Sequence, residues 1–339
     1  MTKIAVIGAG SWGSALALVL ADNGHEVRLH ARREDQVDEM NQCHTNESYL
    51  PGVVFPASIR AYTKMKEVLQ GVSVVLIAVP TKAMRETMRA LLPSLAEDAM
   101  VIHASKGIEP VTHKRVSEII AEEDKQMKKI AHIAVLSGPS HAEEVALRQP
   151  TTVTVASENI EAAQFAQNLF MNKQFRVYTN PDLIGVEMGG ALKNIIALVC
   201  GITNGLGLGD NTKAAIMTRG LAEMSRLGVH MGANPLTFSG LSGLGDLIVT
   251  CTSVHSRNWR AGRMIGEGLS MDEVLAQMGM VVEGVRTTKA AYELAQEKGV
   301  EMPLTEALNS VLFEGVTPQE ATEQLMARMR THEVETLFE

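Results

Sequence analysis

Short apolar runs recur at regular intervals through the first half of the chain, with helical stretches between them. Ile4 to Ile7, Glu26 to His30, Val74 to Val79, Met100 to Ala104, His132 to Leu136 and Thr151 to Ala156 read as strands. From Lys3 to Tyr178 the alternation predicts βαβ units and a mostly parallel sheet with helices on both faces. The runs are nearly continuous in apolar character, as strands buried on both sides are.

After Asn180-Pro181-Asp182 the period changes to that of helices, with almost no strand signal to the C-terminus. Asn180 suits a helix N-cap and Pro181 the first helical position. Leu192, Ile195, Ile196 and Val199 then recur on one helical face. Residues 1–180 are therefore expected to form an α/β domain, and residues 181–339 an all-helical one. A length of 339 residues accommodates two domains of ordinary size.

Composition narrows the classes. The 45% hydrophobic content is that of a globular protein. A formal charge of -8, with no long block of Lys and Arg, argues against nucleic acid as a partner. Cys43, Cys200 and Cys251 are odd in number and lack metal-ligand spacing, which disfavours a disulfide framework and a zinc site and fits a reducing cytoplasm. The start of the chain, apolar up to Ala15-Leu16-Ala17, has the outline of a secretory signal, but three spaced glycines within it argue for a nucleotide turn. Elsewhere no stretch of about 18 uninterrupted apolar residues predicts a membrane span.

Those glycines, Gly8, Gly10 and Gly13, form GxGxxG between a strand and an amphipathic segment running to about Asn23. The first permits a tight turn, the second lets the backbone approach a pyrophosphate, and the third lets helix pack on strand. The helix N-terminus offers free N–H groups to phosphates. This is the fingerprint of a Rossmann-type dinucleotide domain. At the end of the second strand the sequence is Leu29-His30-Ala31-Arg32-Arg33, with no carboxylate before Glu34. Arginines there favour NADPH, or use of both NADPH and NADH, over strict NAD, the plainer reading being a solvated loop. FAD binds the same fingerprint and stays open, disfavoured by the lack of a second glycine-rich motif.

In such a sheet, ligands lie beyond the carboxyl ends of the strands. Val79-Pro80-Thr81, Ala104-Ser105-Lys106-Gly107 and Ser137-Gly138-Pro139-Ser140 occupy those positions. Lys106 brings a cation, and Ser140 either holds a phosphate or caps a helix expected to open there. Lys193 follows Gly189 and Gly190 by four and three positions, so its side chain leans back over a surface without competing side chains. Glycines inside a helix cost about 1 kcal/mol each, so the space serves either a ligand or a closely packed helix. A lysine there can stabilise negative charge on a ketone oxygen and donate the proton, given partial burial. Asp246, among Gly240, Gly243 and Gly245, reads as an orienter of Lys193, a substrate contact, or merely the acid of a tight turn. Ser256-Arg257-Asn258 opens another helix with a hydroxyl, a guanidinium and an amide suited to a dianion. His103, His141 and His255 lie nearby without metal geometry, so hydride transfer without a metal is expected.

Taken together, GAGSWGSALA, ASKGIE, SGPSHAEEV, GVEMGGALKNIIAL, DNTKAAIMTRGLAEM, GLGDLIVTCTS, SRNWRAG and VVEGVRTT resemble, in order, the NAD(P)-dependent glycerol-3-phosphate dehydrogenases of bacteria. The resemblance implies reversible reduction of dihydroxyacetone phosphate to sn-glycerol 3-phosphate for phospholipid synthesis. It implies cofactor contacts at Ser11, Trp12, Arg32, Arg33, Lys106, Ala142, Arg257, Val281 and Glu283. Substrate contacts fall on Lys106, Gly138, Ser140, Lys193, Asp246, Ser256, Arg257 and Asn258, with Lys193 as proton donor and acceptor. It further implies a cytoplasmic homodimer. His141 departs from the family's GPSFA and has no assigned role. Two other readings remain: a hydroxyacid or sugar-acid dehydrogenase, which would replace the dianion cluster, and a non-catalytic NAD(P) sensor, which would have no use for Lys193.

Overall fold

The computed structural model describes residues 1–279 and 281–329. They form two compact units: residues 1–106 with 115–183, and residues 107–114 with the chain from Ile184 onward. In the first unit eight strands make one sheet: β1 (Lys3–Ile7), β2 (Glu26–His30), β3 (Ile59–Tyr62), β4 (Val74–Ile77), β5 (Ala99–His103), β6 (Ile130–Ser137), β7 (Thr151–Ala156) and β8 (Phe175–Asn180). Their order is β3-β2-β1-β4-β5-β6-β7-β8, parallel throughout except between β6 and β7. Alternate residues feed two cores. Ile4, Val6, Val74 and Leu76 enter one, while Ala5, Ile7, Val75 and Ile77 enter the other. Both faces of the central strands are therefore dry, which is why those runs are apolar without alternation.

The two strands that the apolar runs do not reveal, β3 and β8, are the edges of this sheet. β8 alternates buried Phe175 and Val177 with exposed Arg176 and Tyr178, so half of its signal is polar. The helix Ser11–Asp22 differs from its expected amphipathic form: every residue from Gly13 to Ala21 is buried. It packs on the sheet side and is covered by the helices Ala142–Ala146 and Ile160–Phe170.

The second unit is helical, with no strand among the described residues. Its central helix begins at Leu183, three residues after the expected cap. Asn180 instead ends β8, and its side-chain oxygen accepts the Asp182 N–H at 2.9 Å. This helix, Leu183–Gly205, has the length and mean hydropathy (1.6) of a membrane span, yet 94% of that window is buried within the fold. The single apolar face expected from Leu192, Ile195, Ile196 and Val199 is thus one part of a helix buried on every side from 185 to 203. Neighbouring helices come close enough to require glycine. A Cβ on Gly201 would lie 2.1 Å from the Trp259 carbonyl oxygen, and one on Gly262 would lie 2.1 Å from that of Leu198. That crossing fixes the helix Arg257–Gly266 against the helix of Lys193. The excursion 107–114 adds Ile108 to the helical core, and His113 faces Glu293 and Glu297 at 3.2 and 3.5 Å; a single division of the chain at 180/181 leaves it out.

Candidate active site

In the first unit the glycine turn sits where the sheet order reverses, between β1 and β4, the crevice in which open α/β sheets bind ligands. Gly8 has φ +113, and a Cβ there would meet the Ala78 carbonyl oxygen at 2.6 Å. A Cβ on Gly13 would lie 1.9 Å from the Gly8 carbonyl oxygen, whereas one on Gly10 would meet nothing within 4 Å. The first and third glycines thus close the turn, and the second leaves open space. The helix that starts at Ser11 has no acidic residue in its first turn and no side-chain cap, so its N–H groups and positive dipole end suit an anion. Ser11 donates its hydroxyl to the Tyr49 carbonyl at 2.8 Å. Trp12 packs on the core, and its Nε1 has no hydrogen-bond partner within the protein. The turn and the uncapped helix end fit a dinucleotide.

Two residues absent from the sequence reading brace this turn from behind. The side-chain amides of Gln36 and Asn46 both donate to the Ala9 carbonyl, at 2.7 and 3.1 Å. Gln36 also donates to Asn46 at 3.1 Å, and Asn46 to the Ser14 hydroxyl at 2.9 Å. Both are buried. Only their polarity amid apolar neighbours would have flagged them. Arg32 and Arg33 follow β2 and are exposed, with Arg33 3.5 Å from Asp35.

Along the same carboxyl edge, Ser105 donates to the Val79 carbonyl at 2.6 Å, joining the segments after β4 and β5 and fixing the backbone next to the half-buried Lys106. Beyond β6, Gly138 has φ +137, and a Cβ there would lie 3.0 Å from the Val153 Cα. The expected role of Ser140 at a helix opening is corrected. The helix there is Ala142–Ala146, preceded by His141 without a side-chain cap bond, and Ser140 donates to the Gly138 carbonyl at 2.9 Å. Glu143 and Glu144 already occupy the first turn, which makes that helix end a poor phosphate site. Ala142 is buried in the core of this unit.

In the helical unit, Lys193 reaches the first residue of the helix Asp246–Thr252. Its ammonium donates to the Asp246 carboxylate and, at 2.9 Å, to the Thr250 hydroxyl. Thr250 in turn donates to the Asp246 carbonyl at 2.6 Å. Lys193, Asp246 and Thr250 are all buried, so two charges sit out of water, paired and hydrogen-bonded. Thr250 was not singled out in the sequence; its place four residues after Asp246, on the same helical face, is the signal that would have found it. The room beside Gly189 is filled by protein: a Cβ there would lie 2.5 Å from the Ser242 carbonyl oxygen. Close packing, not a ligand, explains that glycine.

The cluster Ser256-Arg257-Asn258 is also partly committed. Ser256 caps its helix, its hydroxyl accepting from the Trp259 N–H at 3.2 Å. Asn258 donates to Asn194 at 2.8 Å and accepts from the Gly284 N–H at 2.9 Å. That leaves the exposed Arg257 guanidinium, 3.4 Å from the Val281 carbonyl, and the N–H groups of the first turn as anion donors. Val281 is exposed. Burial raises the Glu283 carboxyl, an effect opposed by the positive charges of Arg257 and Arg286, and one of its oxygens has no hydrogen-bond partner.

Comparison with known proteins extends this geometry to the whole chain. Residues 3–163 match the family described as NAD-dependent glycerol-3-phosphate dehydrogenase N-terminus, and residues 182–323 match the corresponding C-terminus. A protein of Shouchella clausii named glycerol-3-phosphate dehydrogenase [NAD(P)+] is 73% identical over 338 residues, covering 100% of this chain and 99% of that one. Among solved structures, a glycerol-3-phosphate dehydrogenase from Coxiella burnetii shares 42% identity at a TM-score of 0.91, covering 96% of this chain and 99% of that one. One from Plasmodium falciparum shares 27% identity at 0.88, covering 98% and 97%. With both halves matched in order and a relative this similar over its full length, the chain belongs to the NAD-dependent glycerol-3-phosphate dehydrogenase family.

Proposed function

We propose that this chain is an NAD(P)H-dependent glycerol-3-phosphate dehydrogenase that reduces dihydroxyacetone phosphate reversibly to sn-glycerol 3-phosphate, the backbone of glycerophospholipids. The observation that carries the reading is the buried Lys193, held by Asp246 and Thr250, in a chain of this family. When bound, reduced nicotinamide supplies the hydride to the ketone carbon. Gly8, Gly10 and Gly13 admit the pyrophosphate, with Ser11, Trp12, Lys106, Ala142, Arg257, Val281 and Glu283 as further cofactor contacts. Arg32 and Arg33 receive a 2′-phosphate and tilt the choice toward NADPH.

Lys193 donates a proton to the carbonyl oxygen as negative charge develops there, and takes it back in the reverse direction. Asp246 fixes the ammonium and keeps its charge compensated out of water. Thr250 accepts a second N–H and, with Asp246, fixes the position of the Lys193 Nζ. Among the substrate contacts, Lys106 and Arg257 supply positive charge, Gly138, Ser140 and Ser256 supply backbone or hydroxyl groups, and Asn258 supplies the backbone N–H of the first helical turn. The chain acts as a homodimer in the cytoplasm, a compartment that suits its three free cysteines.

The test is oxidation of NADPH and NADH on addition of dihydroxyacetone phosphate, with Lys193→Ala alongside. Turnover that falls about a hundredfold or more in the variant, with cofactor binding retained, is the expected result. Absence of turnover with intact cofactor binding would sink the substrate assignment.

A further inference from the structure

We propose that Gln36 and Asn46 are positioning residues for the cofactor: their side-chain amides hold the Ala9–Gly10 peptide so that its carbonyl stays turned away from a bound pyrophosphate. The proposal rests on the reading of the glycine turn as the pyrophosphate site. Gln36 lies in the helix Glu34–Gln42, just after Arg32 and Arg33, and Asn46 in the segment that follows that helix. Gln36 Nε2 donates to the Ala9 carbonyl at 2.7 Å and to Asn46 Oδ1 at 3.1 Å. Asn46 Nδ2 donates to the same carbonyl at 3.1 Å and to the Ser14 hydroxyl at 2.9 Å. A carbonyl only accepts, so both amides must present nitrogen to it, and each nitrogen spends both of its N–H groups. Gln36 is 5% exposed and Asn46 0%, so water does not stand in for these donors, and losing one leaves buried polar groups unsatisfied.

The peptide so held could otherwise turn over, because a glycine follows it. Gly10 has φ -77 and ψ -179. Flipping the Ala9–Gly10 peptide changes φ of Gly10 by about half a turn, into the positive range that glycine accepts readily. In a trans peptide the N–H and C=O point in opposite directions. With the carbonyl held by the two amides, the Gly10 N–H faces away from them, and among the described residues no backbone acceptor takes it. Gly10 is also where a Cβ would meet open space, and it directly precedes the uncapped helix Ser11–Asp22. Its N–H thus joins those of the first helical turn as a donor to an anion. The flipped peptide would instead turn a carbonyl oxygen, the negative end of its dipole, toward the phosphates. Two donors on one acceptor also polarise the peptide and strengthen its N–H as a donor. Gly8 and Gly13 set the path of the turn through close approach, and the amides set the direction of one peptide within it.

The experiment compares Asn46→Leu, which removes one donor to Ala9, with Gln36→Met, which removes the other. Dissociation constants are measured by fluorescence titration without substrate for NADPH and, as its competitor, for adenosine 2′-phosphate, which has no pyrophosphate. Each substitution is expected to weaken NADPH about threefold to tenfold and to leave adenosine 2′-phosphate within about twofold of the parent. Equal losses for the two ligands would overturn the proposal, since they describe a domain loosened as a whole. So would NADPH binding within about twofold of the parent in both variants. Should Asn46→Leu fail to fold in thermal melts, Gln36→Met decides alone, because Asn46 still donates to Ala9 in it. The underlying reading is judged on the parent. NADPH that binds there no tighter than adenosine 2′-phosphate rejects the turn as a pyrophosphate site, whereas tight binding in the parent with insensitive variants rejects only the role of the amides.

Discussion

The ammonium of Lys193 lies in the middle of one helix and the carboxylate of Asp246 at the start of another, and the two form an ion pair whose side chains are 7% and 1% exposed. Removing one partner of such a pair strands a charge in the interior, at a cost of about 3–5 kcal/mol. Asp246→Ala is therefore expected to lower stability by that order in urea unfolding and to abolish turnover. Combining Lys193→Met with Asp246→Leu should recover most of the stability without any activity. A loss below about 1 kcal/mol for Asp246→Ala would mean that water reaches the pair.

The second spaced glycine of the nucleotide turn can be separated from the third by substitution. Gly13→Ala drives a methyl group into the Gly8 carbonyl and should both destabilise the fold by more than about 2 kcal/mol and abolish cofactor binding. Gly10→Ala points into open space, so stability should change by about 1 kcal/mol or less while NADPH binding is lost. Thermal melts with and without NADPH distinguish the two. Retained NADPH binding in Gly10→Ala would exclude close approach of a ligand at that backbone.

Cofactor choice is expected to follow Arg32 and Arg33. Replacing both by alanine should raise the KM for NADPH about tenfold or more, as loss of charge-assisted contacts to a 2′-phosphate does, and leave the KM for NADH within about twofold. Equal changes for both cofactors would reduce these arginines to an exposed loop.

A pH effect on stability should originate at Glu223, in the helix Asp210–His230. Its carboxylate accepts the Leu304 and Thr305 N–H groups at 2.6 and 3.2 Å and the Thr305 hydroxyl at 3.1 Å, at the start of the helix Pro303–Phe313. Burial outweighs those bonds and pushes its pKa up to about 7 from 4.5. In the unfolded chain the group ionises near the lower value, so between the two the folded state binds the additional proton. Its contribution is present below the lower value and is lost as pH rises toward the upper one, by about 3 kcal/mol at most. Glu223→Gln should be less stable at low pH and should lack this decline in denaturant titrations from pH 4.5 to 8. An unchanged pH profile in Glu223→Gln would assign the decline to other groups.

How much could be read from the chain depended on where each residue lies. The central strands, the glycine turn and the helical second half were legible because each is governed by local rules: apolar runs for strands buried on both faces, φ and close approach for glycines, 3.6-residue periodicity for helices. Lys193, Asp246 and Arg257 were legible as polar groups beside glycines and at helix starts, and the family motifs ordered them.

Tertiary structure alone decided what each polar group touches. The edge strands β3 and β8 escaped notice because their exposed halves dilute the apolar signal. Gln36 and Asn46 brace the Ala9 carbonyl, Thr250 holds Lys193, and Ser242 takes the space beside Gly189, each through partners distant in sequence. Ser256 caps its own helix and Asn258 joins two segments, partners that their places in the sequence do not specify. Donor and acceptor types are written in the sequence, but hydrogen bonds are satisfied in three dimensions, and a buried amide takes whichever partner the packing of helices brings within reach.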